Sequence, residues 1–292
     1  MTRDEDNEAD GLFQQSAKTK ELLMTKLKVA FVQTSPVFGR VKENVNNAVA
    51  LINKALGKGA NLVVLPELFS TGYQFKTQKE ALRYAEDARL GYAAARLTEE
   101  ARKGNAHIVA GMDERDEYSA YNSSILVGPG GVMGVYRKAH LFWNEKKIFA
   151  PGDTAPQVYS IGKARVGMMI CFDWLFPEVA RTLALKGADI ICQPSNLVLP
   201  YCPQAMITRS IENRVFTITA NRVGTEERIN GKPLRFIGQS QIVAPNGDVI
   251  WRAGGGREAV KTAEIDVAEA RNKNITPLND VFEDRRTDLY SL

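Results

Sequence analysis

Histidine is almost missing from this chain: two residues in 292, His107 and His140. A serine hydrolase of the Ser-His-Asp kind would have to use one of them, and the Gly-x-Ser-x-Gly elbow that delivers such a serine is absent. His107 sits in an apolar, strand-like run over residues 107–112 and reads as structural. Cysteine is scarce too. Cys171, Cys192 and Cys202 are odd in number and lack Cys-x-x-Cys spacing, so neither a disulfide framework nor a zinc cluster is suggested. A reducing, cytoplasmic setting fits that usage. No apolar run approaches the ~20 residues that span a membrane. The net charge is only +4, and no Lys/Arg run is interleaved with aromatics, so nucleic acid is not an expected partner. Residues 2–10 are acidic and polar and lack the basic and apolar regions of a signal peptide. Gly254-Gly-Gly256 follows a strand but opens no helix, which discounts phosphate binding.

What is present is a regular series of short apolar runs. Residues 27–34, 61–65, 107–112, 123–127, 132–136, 165–170, 190–193, 215–220, 239–243, 249–252 and 261–265 are expected as strands. Gly128-Pro-Gly-Gly131 and Pro245-Asn-Gly-Asp248 supply hairpin turns. Helical periodicity fills residues 41–56, 93–103, 178–185 and 204–213. Pro177 precedes the third of these and Gly187 follows it. Such a mixture implies a mixed sheet or two sheets covered by helices, with no composition break to mark a second domain. Residues 1–25 read as an extension with a short helix around 17–23. Residues 26–292 read as one domain.

Three segments carry the chemistry. A buried strand stops abruptly at Cys171, within Gly167-Met-Met-Ile-Cys171, and another stops at Leu65-Pro-Glu67. Open α/β sheets place their active sites at such strand ends. A thiol and a carboxylate delivered there make a nucleophile and a base. The third segment is Tyr136-Arg-Lys138-x-His-Leu-Phe142, with Glu145 shortly after it. In that order, and together with Pro194-Ser-Asn196, Arg209-x-x-Glu-Asn213, Gly238-x-Ser240 and Arg285-Arg-x-Asp-Leu-Tyr290, these segments resemble the nitrilase, or carbon-nitrogen hydrolase, superfamily. Its mark is a Glu-Lys-Cys triad, and the resemblance runs from about Lys26 to the C-terminus.

The resemblance implies an α/β fold, a four-layer α-β-β-α sandwich, assembled as a homodimer or a higher homo-oligomer. The helices after Pro177 and Pro203 and the tail after residue 279 would lie in the interface. It also implies the site. Glu67 is the base, Cys171 the nucleophile, and Lys138 with the backbone N–H of Phe172 the oxyanion stabiliser. Glu145 orients Lys138 and the substrate's NH2 group, and Asn196 orders the loop facing the thiol. Tyr73, Phe172, Trp174 and Asn196 are the expected substrate-binding residues, with Phe69, Trp143, Phe176 and Tyr201 as further candidates for an apolar pocket. No metal or organic cofactor is required. The implied reaction converts a small amide to a carboxylic acid and ammonia through a cysteine thioester. Cys171-Phe172-Asp173 differs from the Cys-Trp-Glu of enzymes committed to nitriles and points to an amidase-like branch. A nitrilase is the alternative. An N-carbamoyl amidohydrolase is less favoured, since no arginine follows the thiol and Trp174 is displaced by one position from the carbamoylputrescine amidase pattern. A non-enzymatic scaffold of the same fold is the remaining alternative.

Overall fold

The computed structural model describes residues 25–229, 231 and 233–290. The helix expected around residues 17–23 lies outside the described residues, as does all but the last residue of the 1–25 extension.

Strand alternation explains the layering. In β1 (Lys26–Gln33), Val29 and Phe31 belong to one buried cluster while Ala30 and Val32 belong to another. A strand whose successive side chains are buried on opposite faces has a packed layer on both sides. Helix α1 (Val41–Leu56) brings Val45, Ala48 and Ile52 to one of those faces. Then come β2 (Leu62–Val64), α2 (Gln78–Tyr84), α3 (Tyr92–Gly104), β3 (His107–Asp116), β4 (Ser119–Gly128) and β5 (Gly131–Arg137). Leu97 of α3 joins the same outer cluster.

The second half repeats the plan. It contains α4 (Glu145–Ile148), β6 (Val158–Ser160), β7 (Arg165–Met168), a 3-10 turn over Cys171–Leu175, α5 (Pro177–Leu185), β8 (Ile190–Pro194), α6 (Cys202–Asn213) and β9 (Phe216–Ala220). A short ribbon of β10 (Thr225–Glu226) and β11 (Leu234–Arg235) precedes β12 (Gln241–Val243), β13 (Val249–Arg252) and β14 (Ala259–Asp266). The chain closes with α7 (Ala268–Arg271), β15 (Asn274–Thr276) and β16 (Asn279–Asp280).

Two six-stranded sheets result, in the orders β14-β1-β2-β3-β4-β5 and β13-β12-β9-β8-β7-β6. Strands β1-β2-β3 run parallel, as do β7-β8-β9, and the outer strands are antiparallel. The inner faces meet in one core that joins Val29, Phe31 and Val109 to Val166, Met168, Cys192 and Ile218. Burial of each large side chain in it contributes roughly 1.5–3 kcal/mol relative to exposure. α5 closes against the outside of the second sheet at Gly167, where a Cβ would stand 2.7 Å from Leu183 Cδ2. The fold is therefore a four-layer α-β-β-α sandwich. Every strand expected from periodicity is present, with ends shifted by a few residues at most. No helix among the described residues is long and apolar enough to cross a membrane.

Candidate active site

Glu67 and Cys171 are delivered from the carboxyl ends of the parallel strands β2 and β7, and Lys138 from the end of the antiparallel edge strand β5. Beyond β2, Leu65 still pairs with Val109, and Pro66 accepts a hydrogen bond from the Gly111 N–H at 3.1 Å. A Cβ on Gly111 would lie 2.4 Å from Glu67 Cα, so only glycine lets β3 approach this closely. Cys171 follows β7 and opens the 3-10 turn. Lys138 follows β5, and its position is fixed from both sides. Its N–H donates to the Asn122 carbonyl at 2.8 Å, and its own carbonyl accepts from the Gly152 N–H at 2.9 Å. Next to it, Arg137 forms ion pairs with Glu114 and Asp116, each at 2.7 Å, and with Asp153 at 3.2 Å.

Glu67, Lys138 and Glu145 meet in the interior. Lys138 Nζ lies 2.7 Å from Glu67 Oε1 and 2.8 Å from Glu145 Oε2. Glu67 Oε1 also accepts from Asn122 Nδ2 at 2.7 Å, whereas Glu67 Oε2 has no partner among the described residues. One oxygen is thus held and the other is open. Glu145 accepts from the Tyr73 hydroxyl at 2.6 Å and from the Phe142 N–H at 3.1 Å. Two buried carboxyl groups share one ammonium.

Electrostatics follow from that count. Burial alone pulls the Lys138 ammonium down, but Glu145 and Glu67 outweigh it and hold its pKa above the usual lysine value. Burial pushes the Glu145 carboxyl up, against the pull of Lys138, and the like charge of Glu67 adds to the push. Burial also raises the Cys171 thiol well above the ordinary thiol range; Glu67 reinforces this, while Lys138 and a backbone hydrogen bond from Asn196 oppose it. The resting nucleophile is therefore a neutral thiol that sheds its proton to a base as it attacks. The pH dependence of Cys171 alkylation by iodoacetamide is expected to have its midpoint above that of a free thiol; a midpoint at ~8.5, as for a free thiol, would contradict this. Cys192 and Cys202 are fully buried with thiols also pushed up, and stay silent until the chain unfolds. All three thiols hold their protons more tightly folded than unfolded. Their contribution to stability is therefore full below the unfolded thiol pKa and is lost as pH rises toward the folded values.

Backbone strain collects here. Leu68, Trp143 and Cys171 are non-glycine residues with φ of 48°, 46° and 40°. Such conformations persist only where the surroundings over-determine them. For Cys171 the surroundings are visible. Gln193 Nε2 donates to the Cys171 carbonyl at 3.0 Å. The buried Asp173 carboxylate accepts from the Ile170 N–H at 2.9 Å, the Tyr136 hydroxyl at 2.8 Å and the His140 N–H at 3.1 Å, and contacts His140 Nδ1 at 2.8 Å. Asp173 thereby ties the turn bearing the thiol to the segment bearing Lys138. Sequence reasoning used it only as a branch marker. Its place in the first turn of a helix, two residues past the nucleophile, was the available signal.

A small cavity of about 20 Å³ opens at the thiol. Phe142, Phe172, Trp174 and Asn196 line it beside Cys171, and Leu197, Val198 and Leu199 complete the wall. A second hollow, on the Glu145 side, is lined by Tyr73, Trp143 and Phe149 among others. The expected substrate-binding set is thus divided. Phe172, Trp174 and Asn196 face the thiol cavity, whereas Tyr73 lies on the other side with its hydroxyl committed to Glu145. Phe69 is no pocket residue: the left-handed Leu68 turns the chain, and Phe69 packs into the outer core under α1 and α3. Tyr201 is exposed at 63%. Phe176 stacks on the His140 ring at 3.6 Å rather than lining the thiol cavity. The Asn196 side chain has no hydrogen-bond partner among the described residues, so it does not hold its loop there. Asn221 does so, accepting from the Leu197 N–H at 2.8 Å.

Residues 28–274 match a family model described as carbon-nitrogen hydrolase. A Pyrococcus abyssi protein described as a nitrilase is 49% identical over 264 residues, covering 90% of this chain and 99% of its own. A Pseudomonas protein described as an (R)-stereoselective amidase is 32% identical over 249 residues, covering 84% of this chain and 87% of its own. In structure, an amidase from Nesterenkonia sp. superposes with a TM-score of 0.74 at 24% identity, covering 90% of this chain and 94% of that one.

Proposed function

This chain belongs to the carbon-nitrogen hydrolase family, and from that premise we propose that it hydrolyses small amides to a carboxylic acid and ammonia through a thioester on Cys171. The observation that carries the reading is a buried ammonium shared by two carboxylates beside a strained, buried thiol, with one Glu67 oxygen left unpartnered. That open oxygen takes the thiol proton as sulfur attacks the amide carbon. Negative charge then develops on the amide oxygen, which Lys138 and the Phe172 N–H stabilise; loss of one such donor costs roughly 3–4 kcal/mol in the barrier. Glu67 returns the proton to the amine, the C–N bond breaks and ammonia leaves. Water, deprotonated by Glu67, attacks the thioester, and the acid departs as the thiol is restored. Glu145, fixed by Tyr73, holds Lys138 and receives an N–H of the substrate amide.

A second reading, nitrile hydrolysis, is favoured by one observation: the 49% identical relative is described as a nitrilase. The same thiol adds to a nitrile to give a thioimidate, and water converts that to the thioester with loss of ammonia. An N-carbamoyl substrate bearing a charged tail fits less well, because no Asp, Glu, Lys, Arg or His lines the thiol cavity. Ammonia release from propionamide against propionitrile, and from phenylacetamide against phenylacetonitrile, separates these readings, with Cys171→Ala as control. Release from amides, lost in the variant, is expected. Faster release from nitriles would make nitrile hydrolysis the primary activity, and silence on both would leave the carbamoyl and scaffold readings.

We also read the chain as a homodimer or larger homo-oligomer. Leu185 and Ile211, at the ends of α5 and α6, leave apolar surface exposed on the outer helical layer. Sedimentation is expected to give a particle at least twice the 32.3 kDa chain mass; a monomer at micromolar concentration would overturn this.

A further inference from the structure

Asn196 is 3% exposed, and neither its Oδ1 nor its Nδ2 has a hydrogen-bond partner among the described residues. A buried polar group left unpaired typically costs roughly 1–3 kcal/mol. Its neighbours do not need it, because the loop is held without it. Ser195 N–H donates to the Ala220 carbonyl at 2.8 Å, and Ile237 N–H to the Leu197 carbonyl at 3.0 Å, in addition to the Asn221 contact. Asn196 and Cys171 line the same cavity, and their companions there are Phe142, Phe172, Trp174, Leu197, Val198 and Leu199.

From this juxtaposition we propose that Asn196 reads an uncharged hydrogen-bonding group on the acyl part of the substrate, so that the preferred substrates are short acyl amides bearing a second carboxamide or similar neutral polar group. The inference rests on the amide-hydrolysis reading and refines it. In that reading Lys138, Glu67 and Glu145 serve the reacting amide, and none of the three lines this cavity. Asn196 therefore addresses what lies beyond the reacting carbon. A primary carboxamide offers one acceptor and one donor group, and its best complement offers the same. A carboxylate or ammonium in the same place would be desolvated without a counter-charge. The cavity is small, about 20 Å³, room for little more than one water-sized group, which keeps the acyl chain short.

Three amides of similar shape test this: succinamide, 4-methylpentanamide, which replaces the far carboxamide with an isopropyl group, and succinamate, which replaces it with a carboxylate. For the full-length enzyme, kcat/KM is expected to be about tenfold or more higher for succinamide than for 4-methylpentanamide, beyond the twofold that two reactive ends supply. Succinamate is expected to fall about a hundredfold or more below succinamide. Asn196→Leu is expected to invert the ratio of the two neutral amides. Equal turnover of that pair, or a preference for succinamate, would overturn the role of Asn196 while leaving amide hydrolysis standing. Failure of all three together with propionamide would overturn the amidase reading itself. The substrate ratio in the unaltered enzyme decides the matter even if the variant fails to fold.

Discussion

Glu67→Gln is expected to lower kcat for amide hydrolysis by roughly 10²–10⁴-fold, with a far smaller change in KM. The geometry separates two tasks within this one side chain. Oε1 is bound by Lys138 and Asn122, while Oε2 has no partner among the described residues. A glutamine can keep a carbonyl oxygen toward Lys138 and Asn122, so the local structure survives. What it loses is the ability to accept a proton, which the mechanism uses when the thiol attacks and again when water does. Because the Cys171 thiol is held well above its ordinary range, no reservoir of thiolate compensates for a missing base. Steady-state kinetics with propionamide measure the effect. A variant retaining a third or more of wild-type kcat would assign the base to another group.

The second large effect is on stability. Arg222 is 1% exposed. It forms an ion pair with Glu226, donates to the Pro36 carbonyl at 2.9 Å, and places its guanidinium 4.0 Å over the Phe236 ring. Glu226 in turn accepts from the backbone N–H groups of Tyr73 at 3.1 Å and Gln74 at 2.7 Å. Arg222→Met leaves the Glu226 carboxylate buried without its counter-charge, an uncompensated state that typically costs about 3–5 kcal/mol. For a chain of this size the melting temperature should fall by roughly 5–15 °C. Arg222→Met combined with Glu226→Gln should recover part of that loss, since the stranded charge is gone. Activity should fall as well, because the Tyr73 segment orients the hydroxyl that holds Glu145. Calorimetry of the three variants checks this; an unchanged melting temperature in Arg222→Met would show that water or backbone rearrangement satisfies Glu226.

The contrast between Glu67 and Glu226 shows what the sequence made legible. Glu67, Lys138 and Cys171 each end an apolar run, and a strand end is visible as a change of composition. Strands alternating in-out with short helices gave the layers for the same reason. The contacts that give Asp173, Asn122 and Glu226 their roles reach His140, Glu67 and Tyr73, 33 to 153 residues away. Such contacts are decided by tertiary approach, which leaves no local mark. Phe69 differs from expectation for a related reason, and Tyr73 gives the contrast. Both lie near Glu67 in the chain, but the left-handed Leu68 sends Phe69 into the outer core and leaves Tyr73 beside Glu145. A positive φ at a leucine has no sequence signature, because sterics disfavour it and only the packed fold enforces it. Asn196 is expected from the sequence both to order its loop and to bind substrate; it lines the thiol cavity, and its carboxamide has no partner among the described residues.

The most direct test of this account is the covalent state of the enzyme during turnover. Wild-type protein is mixed with propionamide, quenched in acid within the steady state, digested and mapped by mass spectrometry. A propionyl adduct confined to the peptide containing Cys171, lost on mild hydroxylamine treatment and absent from Cys171→Ala, is the predicted result. Steady ammonia release with no adduct on any cysteine peptide, or release by Cys171→Ala at the wild-type rate, would contradict it.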